Sequence, residues 1–430
     1  MAQVTFVREE SYKMKAAKLL KSRVALVSAL AMLPVLTFAQ ASKETNHYVQ
    51  TNLVTDPSSG ISAAHTDTNL LNSWGLARST TSPWWISDNN AGVSTLYDGT
   101  GAARALVVKI PGPNGTIPCT AKNTPPNCFV SAPTGVVFNG SPDFDLSPGD
   151  PTTAAAFIFV TEDGTISAWA GGTAATLEVD NSANPTPADG AVYKGATIGE
   201  FNGKRYLYVA NFRAGKVEVY DTNFHQVRLS DGDRDDRGEH EEAFQDERIP
   251  KGFAPFNVQN IGGSLFVTYA KQTPDKHDNV AGPGLGFVDL YSPSGKLLTR
   301  FQHGSWLNAP WGIVWTPRDF GELSNKILVG NFGSGWIAAY NGFTGEFIDF
   351  MRDHNGNIVG IDGLWALAFG NSAAGCPAIP PAGSNLPKCG AAGPYNSLFF
   401  TAGPNGEMDG LFGTLTPDPA TNELGEGDEL

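Results

Sequence analysis

One short motif returns six times along the chain at steps near sixty residues, and this periodicity restricts the accessible folds more than any other feature. The motif is a turn opening into an apolar strand. Its copies are Asn72-Ser-Trp-Gly-Leu-Ala77, Ala132-Pro-Thr-Gly-Val-Val-Phe138, Tyr193-Lys-Gly-Ala-Thr-Ile198, Ala254-Pro-Phe-Asn-Val258, Ala309-Pro-Trp-Gly-Ile-Val314 and Gly363-Leu-Trp-Ala-Leu-Ala368. Aligned on Gly75, Gly135, Gly195, Phe256, Gly312 and Trp365, they are spaced by 60, 60, 61, 56 and 53 residues.

Each copy is followed by two further β-branched or aromatic runs separated by an Asn-, Asp- or Gly-rich turn, the pattern of a hairpin. Trp84–Tyr97, Phe157–Trp169, Tyr206–Tyr220 and Ile327–Tyr340 show it most plainly. The fourth copy, Leu265–Ala270 with Gly286–Tyr291, has a longer turn, and the last is Ser397–Ala402 with Asp409–Phe412. Five copies add a fourth strand: Ala105–Ile110, Ala175–Val179, Gln226–Leu229, Lys296–Phe301 and Glu346–Phe350. The sixth lacks one, whereas a spare strand, Tyr48–Val54, precedes the first copy. The expected fold is therefore all-β: a six-bladed β-propeller with four-stranded blades over residues 42–417, its ring closed by the N-terminal strand so that no edge is left unpaired.

Composition agrees. Hydrophobic residues are 41% and aromatics 10% of 430 residues, enough for a large core, and 49 Gly with 29 Pro supply many turns. The net charge of −14 disfavours a nucleic-acid partner. No stretch outside the N-terminal region shows a long 3.6-residue period.

The segment Val24–Phe38 is apolar, follows Lys13, Lys15, Lys18, Lys21 and Arg23, and precedes Ala39-Gln40-Ala41. This is the pattern of a secretory signal peptide over residues 1–41, with Met14 as an alternative start. Its 15 residues include Pro34, whereas a membrane-spanning helix needs about 20. Cleavage would remove six Lys/Arg and two Glu and leave −18. The expected location is thus periplasmic or extracellular, with no membrane contact after cleavage and a monomeric state. In an oxidising compartment the four cysteines are expected to pair locally, Cys119–Cys128 and Cys376–Cys389. Zinc is the rival, but Cys-x-x-Cys spacing is absent.

Asp231–Glu242 places acids like an EF-hand loop but carries Asp236 where Gly is required. It reads as an acidic insertion over 231–248. An acidic tail is expected over 418–430.

In a propeller the loop before the inner strand and the loop between the second and third strands open on one face, beside the central channel. Candidate ligand-binding residues there are Asn72, Trp74, Asn89, Lys271, Asn308, Trp311 and Trp365. The tryptophans could stack on a ring-bearing ligand or wedge between blades. Glu162, Asn211 and Asn331 take similar places in three copies, and oxygen donors converging on one axis would suit Ca²⁺. The same residue types are ordinary turn formers, and both readings stand. Candidate acid–base groups are Asp88, Asp362 and His277, the last in the unusually long loop Lys271–Gly284. Gly-x-Ser-x-Gly, His-Glu-x-x-His and P-loop motifs are absent.

Five stretches carry a family resemblance: Thr68–Ala77, Trp85–Gly92, Phe253–Ile261, Tyr269–Gln272 with Asp275–Asp278, and Asn331–Gly333. Together they resemble a bacterial family of exported conserved hypothetical proteins with an NHL-like six-bladed propeller. The resemblance implies export and the ring fold, and it brings no reaction. Two functions compete. One is a secreted propeller that binds a small molecule or protein partner at the channel mouth. The other is a calcium-dependent hydrolase, similar to lactonases built on six-bladed propellers, in which a bound metal polarises a carbonyl.

Overall fold

The structure is a computed structural model and describes residues 46–116, 130–147, 150–229, 243–372 and 390–419. The expected signal segment, all four cysteines, the 231–242 acids and most of the C-terminal tail lie outside the described residues.

Six small antiparallel sheets follow one another along the chain as a six-bladed β-propeller. The six inner strands are Ser73–Ala77, Pro133–Phe138, Tyr193–Phe201, Phe253–Ile261, Pro310–Trp315 and Leu364–Phe369. They coincide with the six copies of the sequence motif. Each packs on the inner strand of the next blade, and Leu364–Phe369 packs back on Ser73–Ala77. Within each blade the remaining strands step outward in chain order.

Blade six closes differently. Its third strand, Leu411–Pro417, begins later and runs longer than the expected Asp409–Phe412. It pairs antiparallel with Tyr48–Thr55, so the N-terminal strand supplies the missing fourth position. A fifth, two-residue strand, His65–Thr66, pairs parallel on its outer side. The Tyr48 hydroxyl ties this closure to blade five: it donates to Phe320 O at 2.7 Å and accepts from Leu323 N at 3.1 Å. Asp418, where the tail was expected to begin, is buried and bonded to His354.

The repeated glycine now has a physical reason. A Cβ on Gly75 would lie 2.3 Å from Thr134 O, and one on Gly135 would lie 2.8 Å from Ala196 N. On Gly195 it would meet Asn257 Oδ1 at 2.0 Å, and on Gly312 it would meet Trp365 O at 2.5 Å. At four of six blades the glycine thus lets neighbouring inner strands approach around the channel. Every inner strand also shifts register near this point, and such bulges increase local twist.

Alternating strand residues fill the six interfaces between blades with one apolar cluster each. A further cluster occupies the centre. It joins Trp74, Phe212, Phe256, Trp311 and Trp365 from five blades and plugs the channel.

Candidate functional site

The strand registers set the ends of the channel. Ser73 opposes Asp88, Tyr193 opposes Asn211, Phe253 opposes Lys271, and Pro310 opposes Asn331. The loops before the inner strands and the hairpin loops therefore share one face, as expected.

A polar cluster from five blades meets there, above the aromatic plug. At its centre is Lys194, whose side chain is only 2% exposed. The inner strand of blade three places it where the motif carries Trp74 and Trp311 in other copies. Its ammonium donates to Glu162 Oε1 and lies 3.5 Å from Asp278 Oδ1. It also sits 5.2 Å above the Trp74 ring and 5.7 Å from the Phe212 ring, two cation–π contacts in a desolvated setting.

Around it, Asn89 donates to Glu162 Oε2 at 2.9 Å and Asn72 donates to Glu407 Oε2 at 2.9 Å. Asn72 Oδ1 accepts from Trp365 Nε1 at 2.9 Å, linking the mouth to the plug. His277 Nδ1 is 2.9 Å from Asp278 Oδ1. The long blade-four loop reaches over the channel because Asn279–Val280 pairs with Lys271–Gln272 and extends the hairpin. A compact turn then closes the loop, with Lys276 N donating to Thr273 O and Thr273 N to Asp278 O.

The carboxyl groups respond to this crowding. The bond to His277 lowers Asp278 to about 2, and Asp278 in turn raises His277. Burial raises Glu407, with Glu162 adding repulsion. Burial also lifts Asp163 to about 6. Three carboxyl groups, Glu162, Asp278 and Glu407, thus face one ammonium and one imidazole, and Asp163 lies beside them bonded to Ala132 N.

The sequence candidates divide into two sets. Asn72, Asn89, Glu162 and His277 meet at the mouth. The others lie elsewhere. Trp365 is covered on one face by Trp74 at 3.5 Å and on the other by Phe332 at 4.0 Å. Trp74 lies between Trp365 and the Lys194 ammonium, and Trp311 is buried with Nε1 donating to Lys194 O at 3.1 Å. These tryptophans build the plug and offer no face to a stacked ligand. Lys271 lies over Phe253 and bonds Lys251 O. Asp88 is fully buried inside blade one, its carboxyl raised well above the usual range by desolvation, and it accepts from Thr95 N. Asp362 is exposed and accepts from Asn405 N.

The expected oxygen-donor set does not assemble. Asn211 and Asn331 oppose the first residues of their inner strands, but the matching residue of blade two, opposite Pro133, is Thr161; Glu162 is one step further along. Asn211 donates to Glu218 across its own hairpin at 2.9 Å, and Asn331 accepts from Asn308 N at 2.8 Å, which fastens its hairpin to the loop before the inner strand of the same blade. Asn308 accepts from Gly282 N of the long blade-four loop at 2.6 Å. A different group, Glu162, His277 and Asp278, has ligand atoms all within 4.8 Å of one another.

Lys194 and Glu407 went unnoticed in the sequence. The signal for Lys194 was a charge interrupting an inner strand at the position filled by tryptophan in two other copies. Glu407 had none: it lies in the turn of the sixth hairpin and comes in only through ring closure.

No family model matches the chain. Uncharacterized protein R648 of Acanthamoeba polyphaga mimivirus is 28% identical over 361 residues, covering 83% of this chain and 77% of that protein. Uncharacterized protein L690 of the same virus is 25% identical over 360 residues, 83% of each. Among solved structures, virginiamycin B lyase from Staphylococcus aureus covers 86% of this chain and 98% of its own at 11% identity, with a TM-score of 0.39. Among the described residues no helix is long and apolar enough to cross a membrane.

Proposed function

We propose that this propeller is a binding protein that holds a small molecule or a protein partner at the channel mouth around Lys194. The convergence of Asn72, Asn89, Glu162, Lys194, His277, Asp278 and Glu407 from five blades carries the reading. Interior charge of this kind is costly to assemble, and its concentration at one channel end supports a recognition role. The surplus of carboxyl groups favours a partner that is cationic or rich in hydrogen-bond donors. The N-terminal basic-apolar-small pattern supports export to the periplasm or medium, and the acidic balance supports partners other than nucleic acid.

The cluster of Glu162, His277 and Asp278 favours a second reading, a metal-dependent hydrolase. An imidazole with two carboxylates suits a transition metal better than Ca²⁺, which prefers oxygen alone. Against this, the Lys194 ammonium already lies within ion-pair distance of both Glu162 and Asp278, where a metal cation would have to sit beside it.

Thermal melting of the full chain separates the two. A panel of small amines is the probe for the first reading, and Ca²⁺, Mn²⁺ and Zn²⁺, each followed by EDTA, for the second. Saturation at 100 times Kd adds about 2.7 kcal/mol. The binding reading expects a shift with an amine that is lost in Glu162→Gln and Asp278→Asn. A shift with metal alone, reversed by EDTA, supports the hydrolase instead. No shift with any amine counts against the first reading.

A further inference from the structure

The opposite end of the channel holds a cavity of about 480 Å³, within the range typical of small-molecule sites. All six blades contribute to it, through the ends of their inner strands. Its lining includes the apolar side chains Val137, Phe138, Ile313, Trp315, Leu367 and Phe369, although polar atoms make up the larger share of its exposed wall. Towards the plug it adjoins a void of about 30 Å³ that shares Leu76, Val136, Gln259 and Leu367 and reaches Trp311. The aromatic plug separates this end from the Lys194 mouth.

One cation lines the cavity. Arg78 Nε donates to Phe369 O at 2.6 Å and a terminal nitrogen donates to Gly370 O at 2.8 Å. A third bond, to Ser79 O, is long at 3.4 Å. These are backbone carbonyls, and none carries charge. Among the described residues no carboxylate pairs with Arg78, although the guanidinium is desolvated enough to fall to about 10. It therefore stays protonated at neutral pH. Five N–H donors against three acceptors leave capacity for a ligand. The guanidinium lies 5.6 Å from the centre of the Trp84 ring, and Trp84 also lines the cavity. The buried Trp84 Nε1 has no acceptor among the described residues.

A desolvated cation without a counter-charge is costly, and an incoming carboxylate would remove that cost. We propose that this end of the channel is a second binding site, which takes an apolar molecule bearing one carboxylate and seats the carboxylate on Arg78. The apolar body would lie against the ring of inner-strand side chains, and Gln259 and Thr197 would stand at its polar margin. This site is independent of the mouth.

Calorimetric titration of the full chain with 2-naphthoate and with neutral 2-naphthylmethanol tests the proposal. The acid should bind at least about tenfold more tightly than the alcohol, the scale of one charge-assisted hydrogen bond. Arg78→Gln should remove that preference. Gln259→Trp, which fills the cavity and keeps Arg78, should abolish binding of both. His277→Ala, at the mouth, should leave both unchanged. Three results would each overturn the proposal: equal affinity of the wild-type chain for acid and alcohol, no binding of either, or loss of acid binding on His277→Ala. If Arg78→Gln does not fold, the wild-type comparison and the Gln259→Trp titration still decide.

Discussion

The Lys194 ammonium stands 3.5 Å from Asp278 Oδ1, joining the inner strand of blade three to the long loop of blade four directly over the channel. The same ammonium is bonded to Glu162 of blade two, so one buried cation holds three blades at the mouth. Removing it leaves Glu162 nearly buried and uncompensated. Lys194→Met should cost about 3 kcal/mol in chemical denaturation. The double variant Lys194→Met/Glu162→Gln should recover part of that loss. A single-variant cost under about 1 kcal/mol, the level of a surface pair, would show that the ammonium is solvated and the mouth loosely organised.

The His277–Asp278 pair sets a pH window. His277 is raised in the folded state, so its contribution is complete below the unfolded value near 6.5 and fades as pH rises through the folded value. Asp278 is lowered to about 2, so its contribution is present above the unfolded value and fades as pH falls towards 2. The pair should therefore stabilise most between about pH 4 and 6.5. An NMR titration of the His277 ring checks it: Asp278→Asn should move the midpoint downward, and an unmoved midpoint would contradict the contact.

Asp163 works in the other direction. Burial holds its carboxyl near 6, so the folded state binds a proton more tightly than the unfolded state does. Its effect is a loss of stability as pH rises from about 4 to 6. Asp163→Asn should flatten that slope in melting curves recorded across the interval. An unchanged slope would place the group in water.

Ring geometry can be tested at the repeated glycine. A methyl at position 135 would lie 2.8 Å from Ala196 N and 3.0 Å from Gly195 Cα, backbone atoms that cannot step aside. Gly135→Ala should cost about 1–3 kcal/mol by overpacking, read from the denaturation midpoint. A neutral result would mean that the inner strands are further apart than described.

Closure of the ring has its own probe. Tyr48→Phe deletes a hydroxyl that bonds Phe320 O and Leu323 N in a buried setting. The expected cost is about 1–3 kcal/mol, because those two backbone groups lose a partner. Deleting the strand Tyr48–Thr55 should expose the edge of Leu411–Pro417 and give self-association in size-exclusion chromatography. A deletion variant that stays monomeric and as stable would remove the closing role.

The sequence by itself determined the architecture. Six motif copies, their hairpin turns and one spare strand at Tyr48–Val54 specify six blades and the manner of closure, because strand alternation and turn chemistry are local properties that survive in one dimension. The six motif copies became the inner strands, and the spare strand closed blade six. The repeated glycine was visible too, though its reason, contact between neighbouring blades, was not.

Only the tertiary structure decided which polar side chains meet. Asn211, Asn308 and Asn331 share the expected face with Glu162 yet bond to hairpin and loop groups, Asn308 to Gly282 of the neighbouring blade, because one residue of register decides whether a hairpin side chain turns inward to the channel or stays with the loops. Lys194 and Glu407 are more than two hundred residues apart and share a site because blade six closes beside blade one. Arg78 follows an inner strand and would pass for a surface charge, until the inner-strand ends of the other blades gather around the same cavity. Convergence on an axis depends on rotation around the ring, and no spacing along the chain encodes that rotation directly.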